Sequence, residues 1–551
     1  MSGRSGGQCV VDSLVAHGVT TTFGVPGESY LTVLDALHDT DIGFVICRQE
    51  GGAAYMAEAW GKLTGTPGVC LVTRGPGATN ASIGVHAAQQ ASTPMVLLVG
   101  QVATHEQGRE AFQEVDYHRM FGGLAKWVTE IRSADHVGSV MAEAFHRALS
   151  GRPGPVVVAL PEDVLQARTD VAAAPPRPID PQEPSADDVA AIVASLAAAK
   201  RPVILAGGGA WTHDARRELV RFAERSRIPV VAAFRFHDLM DNHSECYAGE
   251  AGVAMPPAVR ETLSRADCVL GLGVRFGEMT TAAWSIWPVP DPGVPLIHVH
   301  PDPTQFGRIH TPTVAVPARP GPMLRALLAA EVEPHDTGWR RERRDAFAAT
   351  LECPPQPGPL DMGEVMAWLR AHLPSEVVVT NGAGNFTVWP NKYMLYGPDA
   401  RLLAPQSGSM GYGLPAAVAA KVAHPERTVV CFAGDGDLQM NVQELGTALQ
   451  ADAQPIVLVI DNGTYGTIRM HQERSFPGRV VGTDLVNPDF VELARAYGFH
   501  AERVAQTDEF PAAFRRAEAS PSGALLHLTV DPTQLTPTQS IAQARAHATR
   551  L

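Results

Sequence analysis

One glycine–acid turn, with what stands on either side of it, limits what this chain can become. Residues 428 to 433 are a short apolar run that stops at Gly434-Asp435-Gly436. Such a run, closed by turn residues, reads as a buried strand. Met440, Val442, Leu445, Ala448 and Leu449 then recur at helical spacing, and a second apolar run, 456 to 460, stops at Asp461-Asn462-Gly463. Strand, helix, strand in that order makes the strands parallel. Asp435 and Asn462 then lie at the carboxyl ends of neighbouring strands, where open α/β sheets bind ligands. A carboxylate and an amide carbonyl are hard oxygen donors suited to Mg²⁺ shared with phosphate. Gly434 and Gly436 let the backbone approach a phosphate closely. A dinucleotide-type turn that carries an aspartate would look the same over these residues alone.

The same alternation fills most of the chain. Strand-like runs at 21–25, 44–47, 68–72, 95–100 and 155–161 alternate with helical patterns, as they do in the middle and last thirds. With 551 residues the chain is too long for one core. The expected fold class is α/β: three parallel-sheet domains, at 1–171, 186–332 and 361–540. Proline-rich or charged stretches at 172–185 and 333–360 read as linkers. Arg340 to Arg344 reads as a solvated linker face, the first seven residues as a polar tail, and the last dozen as polar and frayed.

A formal net charge of −14 argues against nucleic acid or an anionic membrane as the main partner. The seven cysteines are scattered and form no Cys-x-x-Cys pair, so neither a disulfide framework nor a structural zinc site is indicated. No apolar run approaches the roughly 18 residues of a membrane span. A cytoplasmic protein is the expectation.

A second group of residues stands far upstream. Glu50 follows a strand at a helix start, where an acid also simply complements the helix dipole. At the next strand end the chain reads Thr73-Arg74-Gly75-Pro76-Gly77-Ala78-Thr79-Asn80. Taken with the downstream motif, these residues resemble the thiamine-diphosphate enzymes of the acetolactate synthase group, over nearly the whole chain. The resemblance implies that Mg²⁺ is held by Asp435, Asn462 and the backbone carbonyl of Thr464. Gly434, Gly436, Asp437, Gly384 and Asn385 then lie about the diphosphate. Thr73, Pro76 and Asn80 match the loop that contacts the pyrimidine, Glu50 the activating glutamate and Gln113 a further active-site glutamine. Ser407-Gly408-Ser409-Met410 resembles the segment that bends the cofactor, with the Gly408 carbonyl accepting from the amino group and Met410 wedged beneath. The implied substrates are a small 2-oxo acid, pyruvate first, and a carbonyl acceptor. The implied assembly is a homodimer or homotetramer, with Glu50 and the diphosphate site on different subunits.

The resemblance thins in three places. Asp461 stands where the family often has a second asparagine. Gly273-Val274-Arg275-Phe276-Gly277-Glu278-Met279 matches the family's acceptor stretch, but Met279 replaces the arginine that grips the acceptor's carboxylate; His471 stands where a tryptophan favours the larger acceptor. Methionine cannot form a bidentate carboxylate contact. The acceptor is therefore expected to be an aldehyde, a ketone or another small carbonyl. A simple decarboxylase or 2-oxo acid oxidase, and a catalytically silent partner subunit, stay open on the same scaffold. FAD as a structural cofactor also stays open: Gly207-Gly208-Gly209, Arg275-Phe276 and Asp302 match part of the family's flavin site, with His300 replacing an acid.

Overall fold

The structure is a computed structural model that describes residues 3–253, 255–546 and 548. Among these, three six-stranded sheets are wholly parallel. By contact density the chain divides into two compact units. The first comprises Met1–Asp180, Pro405–Glu426 and Gln439–Pro455, the second Pro181–Ala404, Arg427–Leu438 and Ile456–Leu551.

In the first unit, β1 (Thr21–Gly24), β2 (Gly43–Ile46), β3 (Gly68–Val72), β4 (Met95–Gln101), β5 (Trp127–Glu130) and β6 (Pro155–Pro161) lie in the order β2-β1-β3-β4-β6-β5. The central strands β3, β4 and β6 are apolar along their length and buried throughout, as strands covered on both faces must be. One face packs on Val10, Leu14, Met141 and Phe145. On the other, small residues let helices come close: a Cβ on Gly84 would stand 2.4 Å from that of Ala54. The helix Glu50–Thr64 packs there against Pro76–Ala91 and Gly413–Ala423. Glu58, fully buried, ties these helices together. Its Oε1 accepts from the Thr93 hydroxyl at 2.7 Å and pairs with Lys62 Nζ at 3.0 Å, and its Oε2 accepts from the Tyr412 hydroxyl.

In the second unit the middle sheet runs β9-β8-β7-β10-β11-β12, formed by β7 (Pro202–Ala206), β8 (Val230–Ala233), β9 (Tyr247–Ala251), β10 (Cys268–Leu272), β11 (Leu296–Val299) and β12 (Val314–Val316). The last sheet comprises β13 (Val378–Asn381), β14 (Arg401–Leu403), β15 (Val429–Gly434), β16 (Ile456–Asp461), β17 (His500–Val504) and β18 (Ala524–Thr529). Its order is β14-β13-β15-β16-β18-β17, which repeats the topology of the first sheet. β15 and β16 are parallel neighbours, as the sequence predicts.

Several expectations change. The stretch 172–185 has no helix or strand, but 333–360 contains the helix Thr337–Ala349. Trp339, Arg343 and Phe347 recur every four residues on it and are buried. Trp339 Nε1 donates to the Pro202 carbonyl at 2.9 Å, and the Phe347 ring meets Tyr247 edge-on. Arg343 lies over the Trp339 ring and pairs with Glu342 and Glu261, so it is not part of a solvated face. Within the expected N-terminal tail, Arg4–Ser5 pairs with Arg168–Thr169. Within the expected frayed end, Ile541–Ala546 is helical; 547 and 549–551 lie outside the described residues. The helical spacing after Gly436 becomes three short pieces, Asp435–Gln439, Val442–Glu444 and Leu445–Gln450, and leaves Met440 and Leu449 half exposed.

Candidate active site

In the first unit the upstream residues gather at the carboxyl ends of β2 and β3. Glu50 is the first residue of its helix, which starts there because the Gln49 side chain accepts from the Gly51 and Gly52 amides at 2.5 and 3.2 Å. Asn80 reaches back from the next helix, its Nδ2 donating to Glu50 Oε2 at 2.9 Å. Pro76 opens that helix, where a missing N–H costs nothing. The Thr73 hydroxyl shares a hydrogen bond with Ser29 at 2.9 Å. Gln113 takes a left-handed conformation, φ +64°, and its carbonyl would lie 2.8 Å from a Cβ on Gly75. Glu50, Thr73, Pro76, Asn80 and Gln113 thus belong to one neighbourhood. Gly408, at φ +68°, has nothing within 4 Å of where a Cβ would stand, and Met410 is half buried.

The sequence reading missed Glu444. This acid is fully buried, accepts from the Arg48 amide at 3.3 Å and from the Thr447 hydroxyl at 2.5 Å, and touches Gly52. Burial pushes its carboxyl above the usual range. Its only sequence signal was an acid beside the apolar positions Val442 and Leu445.

In the second unit, the turns after β13, β15 and β16 lie side by side. Asp435 is buried, and burial raises its carboxyl to about 6. Asn462 Oδ1 accepts from the Thr464 amide at 3.3 Å, and the Thr464 carbonyl accepts from Gly466 at 2.8 Å, which leaves a second lone pair. Gly436 is required by the Tyr465 ring, 2.5 Å from where a Cβ would stand. Asp437 turns away from Asp435. Its Oδ1 accepts from the Ala383 amide at 3.0 Å and so fixes the turn that carries Gly384 and Asn385. Asn385 is itself held, donating to the Leu535 carbonyl and accepting from the Thr467 hydroxyl, both at 2.9 Å. Two residues the sequence reading did not single out complete the group: Asn487, which donates to both Asp435 and Asp461, and His527, which pairs with Asp461 at 2.8 Å. Nothing local in the sequence brings 487 and 527 to this turn; the sheet does.

Three domain models match this chain in order. The "Thiamine pyrophosphate enzyme, N-terminal TPP binding domain" matches 4–120, the central domain 189–327 and the C-terminal TPP binding domain 382–528. The chain is 32% identical over 546 residues to the acetolactate synthase large subunit of Parasynechococcus marenigrum (strain WH8102), covering 96% of this chain and 87% of that one. It belongs to the thiamine pyrophosphate enzyme family. It is also 32% identical over 543 residues to the acetolactate synthase isozyme 2 large subunit of Escherichia coli (strain K12), with 96% of each chain covered. A probable acetolactate synthase large subunit of Methanocaldococcus jannaschii is 31% identical over 551 residues, 97% of this chain and 93% of that one. This member of the family is a thiamine-diphosphate-dependent, acetolactate-synthase-like enzyme that performs carboligation. Among its described residues no helix is long and apolar enough to cross a membrane.

Proposed function

We propose that this enzyme decarboxylates a small 2-oxo acid, pyruvate first, and joins the remaining carbon unit to a carbonyl acceptor. The observation that carries this reading is Glu50, a carboxylate at a helix start with one oxygen fixed by Asn80 at 2.9 Å. Thiamine diphosphate, when bound, supplies the thiazolium carbon that adds to the 2-oxo acid and takes up the electron pair as CO₂ leaves. Glu50 would hold the proton shared with the pyrimidine nitrogen, and Asn80 on Oε2 leaves Oε1 for it. The Gly408 carbonyl would accept from the pyrimidine amino group, with Met410 as the wedge. Thr73, Pro76 and Gln113 would line the same half.

The other half fits Mg²⁺ by its donor set: the Asp435 carboxylate, the Asn462 amide oxygen and the Thr464 carbonyl are hard oxygens on adjacent strand ends. The turns at Gly384-Asn385 and Gly434-Asp435-Gly436 would take the diphosphate, with Asp437 bracing the first. With the two halves drawn from different subunits, the working unit is at least a homodimer.

Three of the residues that match the flavin site are engaged within the middle domain, which argues against FAD. A Cβ on Gly208 would lie 2.0 Å from the Gly273 carbonyl, so this glycine serves the crossing of two chain segments. Phe276 turns inward against Trp287 and His298. His300 is buried, and the Asp302 carboxylate is taken by Thr304 and Gln305.

Met279 is 37% exposed and offers no fork for a second carboxylate, which favours an aldehyde or ketone acceptor. The test is a product screen by mass: purified protein, thiamine diphosphate, Mg²⁺, pyruvate and a panel of carbonyl acceptors. Acetolactate from pyruvate alone, at a rate no acceptor exceeds, would refute the Met279 argument. Free aldehyde as the sole product would make the protein a decarboxylase.

A further inference from the structure

We propose that Asn487, Asp461 and His527 are positioning residues for Asp435, a chain of hydrogen bonds that sets the cation ligand's orientation. The proposal rests on the assignment of Asp435 as a Mg²⁺ ligand. The Asn487 amide nitrogen lies 2.8 Å from Asp435 Oδ2 and 3.0 Å from Asp461 Oδ1. Both neighbours are carboxylate oxygens, so the NH₂ end must face them, one hydrogen to each. That bridge fixes Oδ2 of Asp435 and with it the plane of the carboxylate.

Asp461 is anchored twice more. Its Oδ1 also accepts from the Gly463 amide at 2.9 Å, inside the turn that carries Asn462 and Thr464. Its Oδ2 pairs with His527 Nε2 at 2.8 Å. His527 is buried on β18 with its ring edge-on to Phe490, and its Nδ1 has no partner, so its ring proton points at Asp461. Asp461 therefore connects the turn bearing two of the three oxygen donors to the side chain bearing the third. It also adds a second negative charge beside the cation, where the family often has an uncharged asparagine. His527 is the partner that lets this carboxylate stand in a half-buried place.

The test measures the Mg²⁺ concentration that gives half of the thermal stabilisation by saturating thiamine diphosphate, in full-length protein. Asn487→Ala and His527→Leu are expected to raise that concentration about tenfold or more, the usual cost of losing a group that orients a ligand. His527→Gln, whose amide can still donate to Asp461, is expected to stay near the parent value. In an Asp461→Asn background, His527→Leu should add nothing further. An unchanged half-saturating concentration in Asn487→Ala and His527→Leu overturns the proposal. If Asn487→Ala does not fold, the two His527 variants decide it: equal values overturn it, and a Leu value well above the Gln value supports it. If the parent shows no cation-dependent stabilisation and Asp435→Ala matches it, the ligand assignment itself has failed, and this proposal with it.

Discussion

Glu250 offers the sharpest test of how charge is buried in this molecule. It sits at the end of β9 with its side chain 12% exposed. Its Oε1 accepts from the Arg235 amide at 3.0 Å, and its Oε2 lies 3.7 Å from His237 Nε2. Burial raises its carboxyl from 4.5 to about 8, and burial lowers the His237 imidazole from 6.5 to about 4. At neutral pH both are therefore uncharged in the folded protein, and their approach is not an ion pair. Between pH 4.5 and 8 the folded state holds a proton on Glu250 that the unfolded chain has released. This contribution to stability is fully present below 4.5 and is lost as pH rises through 8. At about 1.4 kcal/mol per pH unit the loss reaches about 3 kcal/mol at pH 7. Glu250→Gln keeps the acceptor for Arg235, needs no proton, and turns an amide N–H toward His237. The variant should match the parent at pH 4.5 and exceed it by about 3 kcal/mol at pH 7. Its weakening below pH 6.5, as His237 protonates in the unfolded chain, should persist. A chain of several domains need not unfold in one step. The assay is therefore hydrogen exchange of the β8 and β9 amides from pH 5 to 8.5, beside thermal melts at fixed cofactor. A Glu250→Gln variant with the parent's alkaline slope would refute the reasoning.

Four further outcomes follow from the same geometry. Asp435→Ala should abolish the thermal shift that thiamine diphosphate and Mg²⁺ give together, a rise of about 3 kcal/mol at a hundredfold excess over Kd. Glu50→Gln should keep that shift and lower kcat by roughly 10² to 10⁴, the usual worth of a placed acid–base group; unchanged turnover would remove Glu50 from the mechanism. Lys62→Met should destabilise by about 3 to 5 kcal/mol, because the fully buried Glu58 loses its cationic partner, and Glu58→Gln in the same chain should recover part of it. Purified protein should be colourless, and added FAD should leave the melting temperature unchanged; a flavin spectrum in the purified protein would overturn the packing argument at Gly208 and Phe276.

What the sequence made legible was local. The runs that became β3, β4, β15 and β16 are apolar and end in turn-forming polar or glycine residues, so their strands could be named before any contact was known. Glu50, Asp435 and Asn462 were readable for the same reason, each being a polar residue at the abrupt end of such a run. Arg343 was misread because five residues of charge hide the four-residue spacing that joins it to Trp339 and Phe347. Asn487, His527 and Glu444 were invisible because Asp461 and Arg48, the partners that place them, are 26 to 396 residues away in the chain. Only the sheet order and the helix packing bring such residues together.

The repeated topology gives these placements a common logic. The first and last sheets share one strand order, yet their acids stand at different strand ends, Glu50 after the second strand and Asp435 after the third, and are held in opposite ways. Glu50 stands part-buried at a helix start, with one oxygen held by the Asn80 amide. Asp435 is buried at the third strand's end, its carboxyl raised by burial and one oxygen bridged to a second carboxylate. Under the proposed roles, a group that exchanges a proton gains from a light hold that leaves it an oxygen for its partner. Under those roles, a group that keeps a divalent cation gains from burial, which strengthens the charge interaction, and from rigid neighbours that fix its orientation. One scaffold supports both because the difference lies in which residues flank each acid: Gln49 and Asn80 around the first, Asn487, Asp461 and His527 around the second. Exchanging the roles would require changing those neighbours, not the sheet.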